Sequence, residues 1–425
     1  MQRLIPGLAV LALAACSRGP TVRWSETTHP STATRGGAAP MFAVAPDGGH
    51  TLAWVSAPGA GTAGRLYVET AHGVSELADP LGDLSIYGEV PPKIAYGPGG
   101  VLYAAYVVKK VVPGRKWPVQ ALRFARSDDG GAHWAEPVTV TDDSVFGAHD
   151  DHSLHVAADG TIYLTWLDRR SGTSHVYLTT SADGGRTWAP NRAITETEAC
   201  PCCRTALASG PDGKLYVAWR RIFPGDVRDI VVARSDDHGA TWSEPVRVHE
   251  DGWVVHACPD AGPSLAVGAD GRVHVAWWTG KEGRAGVQYA VAPAGAARFS
   301  APVPLGLAEF SRPAHVQLAL AGDSTVLAVW DDGTTKIPEI VLRASTDGGR
   351  SFAKAVPVSA KGRSAGYPVI TTAGQGFTVA WQEQDTVAAR AAAAAHQEKM
   401  KANDPTAHVG AVGALQVALR RGTLP

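Results

Sequence analysis

Ser127–Trp134 reads SDDGGAHW, and the same grammar returns as SADGGRTW at Ser181–Trp188, SDDHGATW at Ser235–Trp242 and STDGGRSF at Ser345–Phe352. The shared pattern is Ser-x-Asp-x-Gly-x-x-Trp/Phe. It is carried by Ser127, Asp129, Gly131 and Trp134; by Ser181, Asp183, Gly185 and Trp188; by Ser235, Asp237, Gly239 and Trp242; and by Ser345, Asp347, Gly349 and Phe352. The Ser-to-Ser steps are 54, 54 and 110 residues, the last being two steps of 55. A degenerate copy is therefore expected near residue 290, where AVAPAGAARF (Ala290–Phe299) keeps the aromatic and has lost Ser and Asp. Self-similarity at a period of this size marks a repeat architecture.

Around each box the repeat has the same internal order. LHVAADGTIYLTW gives two strands about Asp159-Gly160, and SHVYLTTSADGGRTWAPNRAIT gives two more about the box. Alternating β-branched and aromatic residues with Asp-Gly turns are hairpin signals. The aromatic closing the second strand recurs at Trp54, Tyr106, Trp166, Trp219, Trp277, Trp330 and Trp381. The fold class is thus all-β: a β-propeller of four-stranded antiparallel blades, seven in number, with six blades plus an irregular segment as the alternative. The last unit has two strands in Gly366–Gln384 and a third in Gly413–Arg421, and Thr21–Thr28 (TVRWSETT) is expected to supply the fourth and close the ring. Between them, residues 386–402 are rich in Ala, Gln, Glu and Lys and predict a helical insertion capped by Asp385.

Within the box, the Asp carboxylate can accept backbone N–H bonds across the turn, Gly permits a positive φ, and the aromatic can wedge between blades. The motif repeats where chemistry would need one site, so a structural role is expected. These four motifs resemble the Asp-box (BNR) repeats of the sialidase superfamily, and the resemblance covers nearly all of the mature chain.

The 425 residues carry Lys+Arg 39 against Asp+Glu 40, which gives no basic surface for nucleic acid. Gln2 and Arg3 precede an apolar core, Leu4–Ala15, and Leu13-Ala14-Ala15-Cys16 looks like a bacterial lipobox. The expectation is a lipoprotein signal over 1–15, lipidation at Cys16, a tether and closing strand over 16–40, and the propeller over 41–425. An ordinary secretory signal that happens to contain a Cys is the alternative. A place in the bacterial cell envelope, held on a membrane by its acyl chains, follows from the lipoprotein reading; a monomer is the separate expectation.

Strand order sorts the loops. The boxes lie on one face; the inter-blade connections and the loops between strands two and three lie on the other, around the central channel, where a ligand site is expected. That face is predicted to hold Asp151, Arg204, His256, Arg312, His315 and Tyr367 from the connections. From the other loops come Asp168, Arg170, Arg220, Arg221, Glu282 and Glu383. The resemblance implies an arginine clamp on a substrate carboxylate, formed by Arg204, Arg220 or Arg221, and Arg312. It implies Tyr367 as nucleophile assisted by Glu282 or Glu383, with Asp151 or Asp168 as acid. Arg170, Arg221, Glu282 and His315 are the further binding candidates. One departure from the family is plain: its early Arg-Ile-Pro signature is absent, and the nearest match is Pro92-Lys93-Ile94. The function expected is capture of a glycan or other small-molecule ligand, with exo-sialidase activity as the alternative.

Cys200-Pro201-Cys202-Cys203 and His256-Ala257-Cys258 precede the first strands of adjacent blades. In an exported chain two disulfides are the first expectation. The second is a thiolate/imidazole site of Cys200, Cys202, Cys203, His256 and Cys258 for copper or zinc, since a second disulfide would have to join near neighbours.

Overall fold

The computed structural model describes residues 22–30, 36–56, 64–115, 118–307, 314–334, 337–374, 376–402 and 415–424. The signal segment, Cys16 and Arg312 lie outside the described residues. The innermost strands are Ala38–Val44, Lys93–Tyr96, His149–Val156, Ala206–Ser209, Ser264–Val267, Gln317–Ala321 and Arg363–Ala373. Each packs against the next and the last against the first, so seven antiparallel blades close into a propeller, the count given by the seven recurring aromatics and not the six-bladed alternative. Six blades carry four strands; the second has in addition a two-residue strand, Asp83–Leu84. The first inner strand begins at Ala38, three residues ahead of the expected tether boundary.

The seventh blade is built from both ends of the chain. Arg363–Ala373, Gly376–Asp385 and Gln416–Thr423 are completed by Arg23–Trp24, with Arg23 opposite Thr423 and Trp24 opposite Gly422. The Trp24 ring meets Phe377 edge-on at 5.4 Å, and the Arg420 guanidinium lies 5.1 Å over its face. The helix Thr386–Lys401 is inserted before the third strand, and Asp385 Oδ1 accepts the N–H groups of Val387 (2.7 Å) and Ala388 (3.4 Å) at its start. Among the described residues no helix is long and apolar enough to cross a membrane.

The aromatic series Trp54 to Trp381 is buried throughout and fills the seams between blades. All four boxes share one geometry. The Ser hydroxyl donates to the Asp Oδ1 at 2.7–2.8 Å and accepts the Gly N–H at 2.7–2.9 Å. The other oxygen of each Asp accepts from the residue before the aromatic: His133, Thr187, Thr241 or Ser351, at 2.6 Å. The box Gly residues have φ of 83–104°, a conformation that disfavours a Cβ. The aromatics wedge onto the preceding blade: Trp188 edge-on to Phe124 (4.9 Å), Phe352 to Tyr289 (5.0 Å). An arginine from the preceding blade latches the next turn, as Arg126 to the Gly184 carbonyl (3.1 Å) and Arg272 to Gly348 (3.2 Å). At the degenerate copy Arg234 donates to Gly295 O (2.8 Å), and Tyr216 accepts the Gly295 N–H (3.1 Å). Those two bonds hold the turn where Ser and Asp are missing.

Candidate functional site at the channel mouth

The inner strands enter the ring at the end opposite the boxes, and there the backbone departs from regular pairing. Register slips between inner and second strands occur at Ala38/Met41, Asp150/Ser153 and Gly366/Val369. Ala39 (φ 54°), Asp151 (φ 57°) and Tyr367 (φ 52°) sit in these bulges, and Asp260 (φ 47°) precedes the fifth inner strand. A left-handed conformation costs a non-glycine residue about 1–2 kcal/mol. Bulges of this kind re-aim side chains.

The second blade sends Tyr87–Pro92 across the opening. The Tyr87 hydroxyl donates to Asp260 Oδ2 (2.8 Å). Glu89 accepts the Gly262 N–H (2.8 Å) on one oxygen and Arg204 Nη1 (2.6 Å) on the other, with both side chains buried. Gly88 lies flat on the Tyr367 ring, with no room there for a Cβ.

His315 donates through Nδ1 to Asp331 Oδ2 (2.6 Å) and through Nε2 to the Asp260 carbonyl (3.0 Å). Two acceptors require two ring protons, so the ring is an imidazolium. Burial works against that charge, but Asp331 and Glu89 outweigh it and raise the pKa above its ordinary value. Tyr367 stacks on the same ring at 3.9 Å, and its N–H donates to Asp331 Oδ2 (3.2 Å). Burial, then Glu89 and Asp331, push the Tyr367 hydroxyl far above the usual phenol range. A cavity of about 270 Å³ opens beside this stack, lined by His315, Asp331, Gly366, Tyr367, Gln382 and Gln384 among others.

Lys93 is buried beneath, its pKa lowered to about 7 by burial and then by Arg204. Burial, then Asp150, Glu89 and Asp260, hold the Asp151 acid well above the carboxylate range, and its Oδ1 has no hydrogen-bond partner. The mouth thus gathers Glu89, Asp151, Asp260 and Asp331 against Arg204, His315 and Lys93, from five blades.

Of the residues expected from sequence, Asp151, Arg204, His315 and Tyr367 meet at this mouth. Arg220 is buried inside the wall instead. It donates to the carbonyls of Arg228 (3.2 Å), Ala261 (3.0 Å) and Trp278 (2.7 Å), and stacks on Trp253. Arg221 stacks on Phe223 at 4.6 Å, and Glu282 is exposed. Asp168 and Arg170 form a separate cluster on the third blade: Arg170 bonds Asp168 (2.8 Å) and Asp142 (2.7 Å), and Asp168 accepts Trp166 Nε1 (2.9 Å). Glu383 accepts Trp381 Nε1 (2.8 Å) and pairs with Arg363 (2.6 Å).

No two of Cys200, Cys202, Cys203 and Cys258 stand at bonding distance, so the expected disulfides are not shown. The Cys200 sulfur lies 3.3 Å from that of Cys203 and 3.8 Å from that of Cys202, against about 2.05 Å for a bonded pair. His256 is not with them: it is exposed, and its Nδ1 meets Asp226 Oδ2 at 2.6 Å. Asp260 takes the place expected for it, beside Cys202 and Cys258.

Sequence reasoning passed over Tyr87 and Glu89 as site residues and did not single out Asp260 or Asp331 for a role. The one available signal for the crossing segment was the long, Pro-Pro-containing connection SIYGEVPPK (Ser85–Lys93), outside the repeat grammar.

Comparison with known proteins agrees with this architecture. The family described as BNR repeat-like domain matches residues 83–380. No curated protein sequence matches the chain. Among solved structures, a protein of unknown function from Dyadobacter fermentans superposes with TM-score 0.52 at 16% identity, covering 77% of this chain and 99% of that one. An ulvan lyase of polysaccharide lyase family PL25 gives 0.54 at 12% identity, over 84% and 93%. An α-L-arabinofuranosidase from Fusarium graminearum gives 0.50 at 13%, over 78% and 92%. At these identities the likeness is one of fold.

Proposed function

The chain belongs to the BNR repeat-like domain family, and from that premise we propose that it is a carbohydrate-binding propeller whose ligand sits at the channel mouth opposite the boxes. The observation that carries the reading is that three of the four left-handed, non-glycine mouth residues, Asp151, Asp260 and Tyr367, bear polar side chains. Backbone strain of this kind persists where function needs a side chain aimed against the local preference. The neighbouring cavity suits a sugar: the edge of the Tyr367 ring for apolar contact, its faces being taken by His315 and Gly88, and the amides of Gln382 and Gln384 with Asp331 for hydroxyl groups. The solved neighbours that act on ulvan and on arabinofuranosides make a saccharide the natural ligand class. We place the protein in the bacterial cell envelope, anchored through Cys16, on the strength of the Leu13–Cys16 lipobox.

Binding without turnover is favoured over sialidase-type hydrolysis. A carboxylate clamp needs free guanidinium groups. Arg204 is bonded to Glu89 and Arg220 to three backbone carbonyls. A glycan array probed with the purified chain, run beside a fluorogenic sialoside assay, tests the proposal. Capture that Tyr367→Ala abolishes, without sialoside turnover, is expected. Turnover by the wild-type chain would replace binding by hydrolysis, and absence of capture on a broad array would end the carbohydrate reading.

A further inference from the structure

The glycan reading leaves the thiols at the edge of the mouth unused, and their arrangement has its own chemistry. The Cys200, Cys202 and Cys203 sulfurs all lie within 4.8 Å of one another. Cys202 also belongs to a second group with Cys258 and an Asp260 carboxylate oxygen, within the same limit. Four sulfurs and one carboxylate thus converge from two inter-blade connections.

The spacing fits a metal better than a bond between sulfurs. Thiolates at about 2.3 Å from one tetrahedral ion stand about 3.8 Å apart. Cys200 and Cys202 are 3.8 Å apart and Cys200 and Cys203 3.3 Å. The frame is fixed: the Cys200 N–H donates to the Arg220 carbonyl (2.8 Å), and Ala199 bridges Arg221, so the loop is pinned to its own blade. Arg204 anchors the following residue to Glu89. Arg228 Nη1 donates to the Cys200 sulfur at 3.4 Å and to the Ala257 carbonyl at 2.9 Å, which ties the two loops together and orients a ligand sulfur from outside. Cys203 and Cys200 are buried while Cys258 is exposed, so an ion has a route in from solvent.

We infer that Cys200, Cys202 and Cys203, completed by Cys258 or Asp260, bind one thiophilic d¹⁰ ion, copper(I) or zinc(II), at the rim of the channel mouth. Soft thiolate sets select these ions over harder ones. Binding expels the thiol protons to solvent, and no change of oxidation state is involved. His256 takes no part, being held by Asp226.

The test uses the full chain, purified without oxygen under a non-thiol reductant and loaded in separate arms with copper(I) or zinc(II). Metal is counted after gel filtration, and affinity is read by competition with a chromophoric chelator. One ion per chain is expected in at least one arm, and that arm identifies the metal. Cys200→Ser and Cys203→Ser should retain less than a tenth of it. Cys258→Ser, at an exposed loop position, should lower affinity where the fold is undisturbed, and Arg228→Gln should weaken it by about 10–100-fold. His256→Ala should bind as the wild type does. The inference is overturned if neither arm retains stoichiometric metal, if Cys200→Ser or Cys203→Ser keeps the full load, or if protein taken from the cell envelope carries the four cysteines as two disulfides. These readouts are independent of glycan capture, so either reading can fail alone.

Discussion

Glu89 and Arg204 meet at 2.6 Å in the channel mouth, 115 residues apart in sequence, one from the segment that crosses the opening and the other from the connection into the fourth blade. Both side chains are out of reach of water, at 0% and 5% exposure. Removing one partner strands the other charge without solvent, which costs about 3–5 kcal/mol. Glu89→Ala should therefore lower the unfolding free energy by that amount in urea titration, and a loss below about 1 kcal/mol would mean that water reaches Arg204.

Asp151 should behave in the opposite sense. Its carboxyl is buried, its Oδ1 is unpartnered, and three other acids surround it. Asp151→Asn removes the cost of charging that group and should stabilise the fold at neutral pH by about 1–3 kcal/mol. The same change should weaken glycan capture, the trade expected where a strained site serves binding. A variant both less stable and fully competent in capture would contradict this.

Histidines set the acid response. Burial lowers the pKa of His152 to about 3, with Lys93 adding to the effect, and burial lowers His155 and His274 to about 4. In the unfolded chain each takes its proton near pH 6.5. Below that value the unfolded state binds protons that the fold refuses, so stability is lost as pH falls from about 6.5 to about 4. Asp237 and Asp347, lowered to about 2 in their boxes, extend the loss below pH 4. His315 runs the other way: its raised pKa gives stability that is present below pH 6.5 and is lost as pH rises through the folded value. Urea midpoints from pH 8 to pH 3 should fall steadily below pH 6.5, and His155→Asn should flatten the upper part of that fall.

The boxes should matter for stability alone. Ser181→Ala leaves the Gly185 N–H and the Asp183 carboxylate each short of a partner, at a cost of about 1–2 kcal/mol. Ser235→Ala should add to it nearly independently, since the two lie in different blades. Neither change should alter capture of a glycan or of metal. Loss of capture in Ser181→Ala protein that remains folded would assign the boxes a direct role.

What could be read from the sequence was whatever repeats or whatever is local. The 54-residue step of the boxes and the seven recurring aromatics pointed to seven blades with six as the alternative, the Ala-rich run after Asp385 announced its helix, and TVRWSETT showed a strand pattern with no local partner, of which Arg23–Trp24 pairs with Gln416–Thr423. Asp151, Arg204, His315 and Tyr367 were found because strand order alone sorts loops by face. Tyr87 and Glu89 were missed because they occur once, outside the period, and acquire meaning only through partners 115 and 173 residues away. Arg220 looked like a ligand-binding arginine because a guanidinium sealed against carbonyls and one offered to solvent are spelled the same way. His256 and Asp260 exchanged roles for a similar reason: the connection turns at Asp260, with φ 47°, and the sequence carries no mark of that turn.

The account rests most on the mouth, and hydrogen–deuterium exchange reads it directly. With the best oligosaccharide from the array bound, peptides spanning 364–367, 382–384 and 314–316 should gain protection, while the box turns at 127–134 and 181–188 exchange as in the free chain. Protection concentrated at the box turns, with none at Tyr367 and Gln382, would put the ligand on the other face and contradict the account.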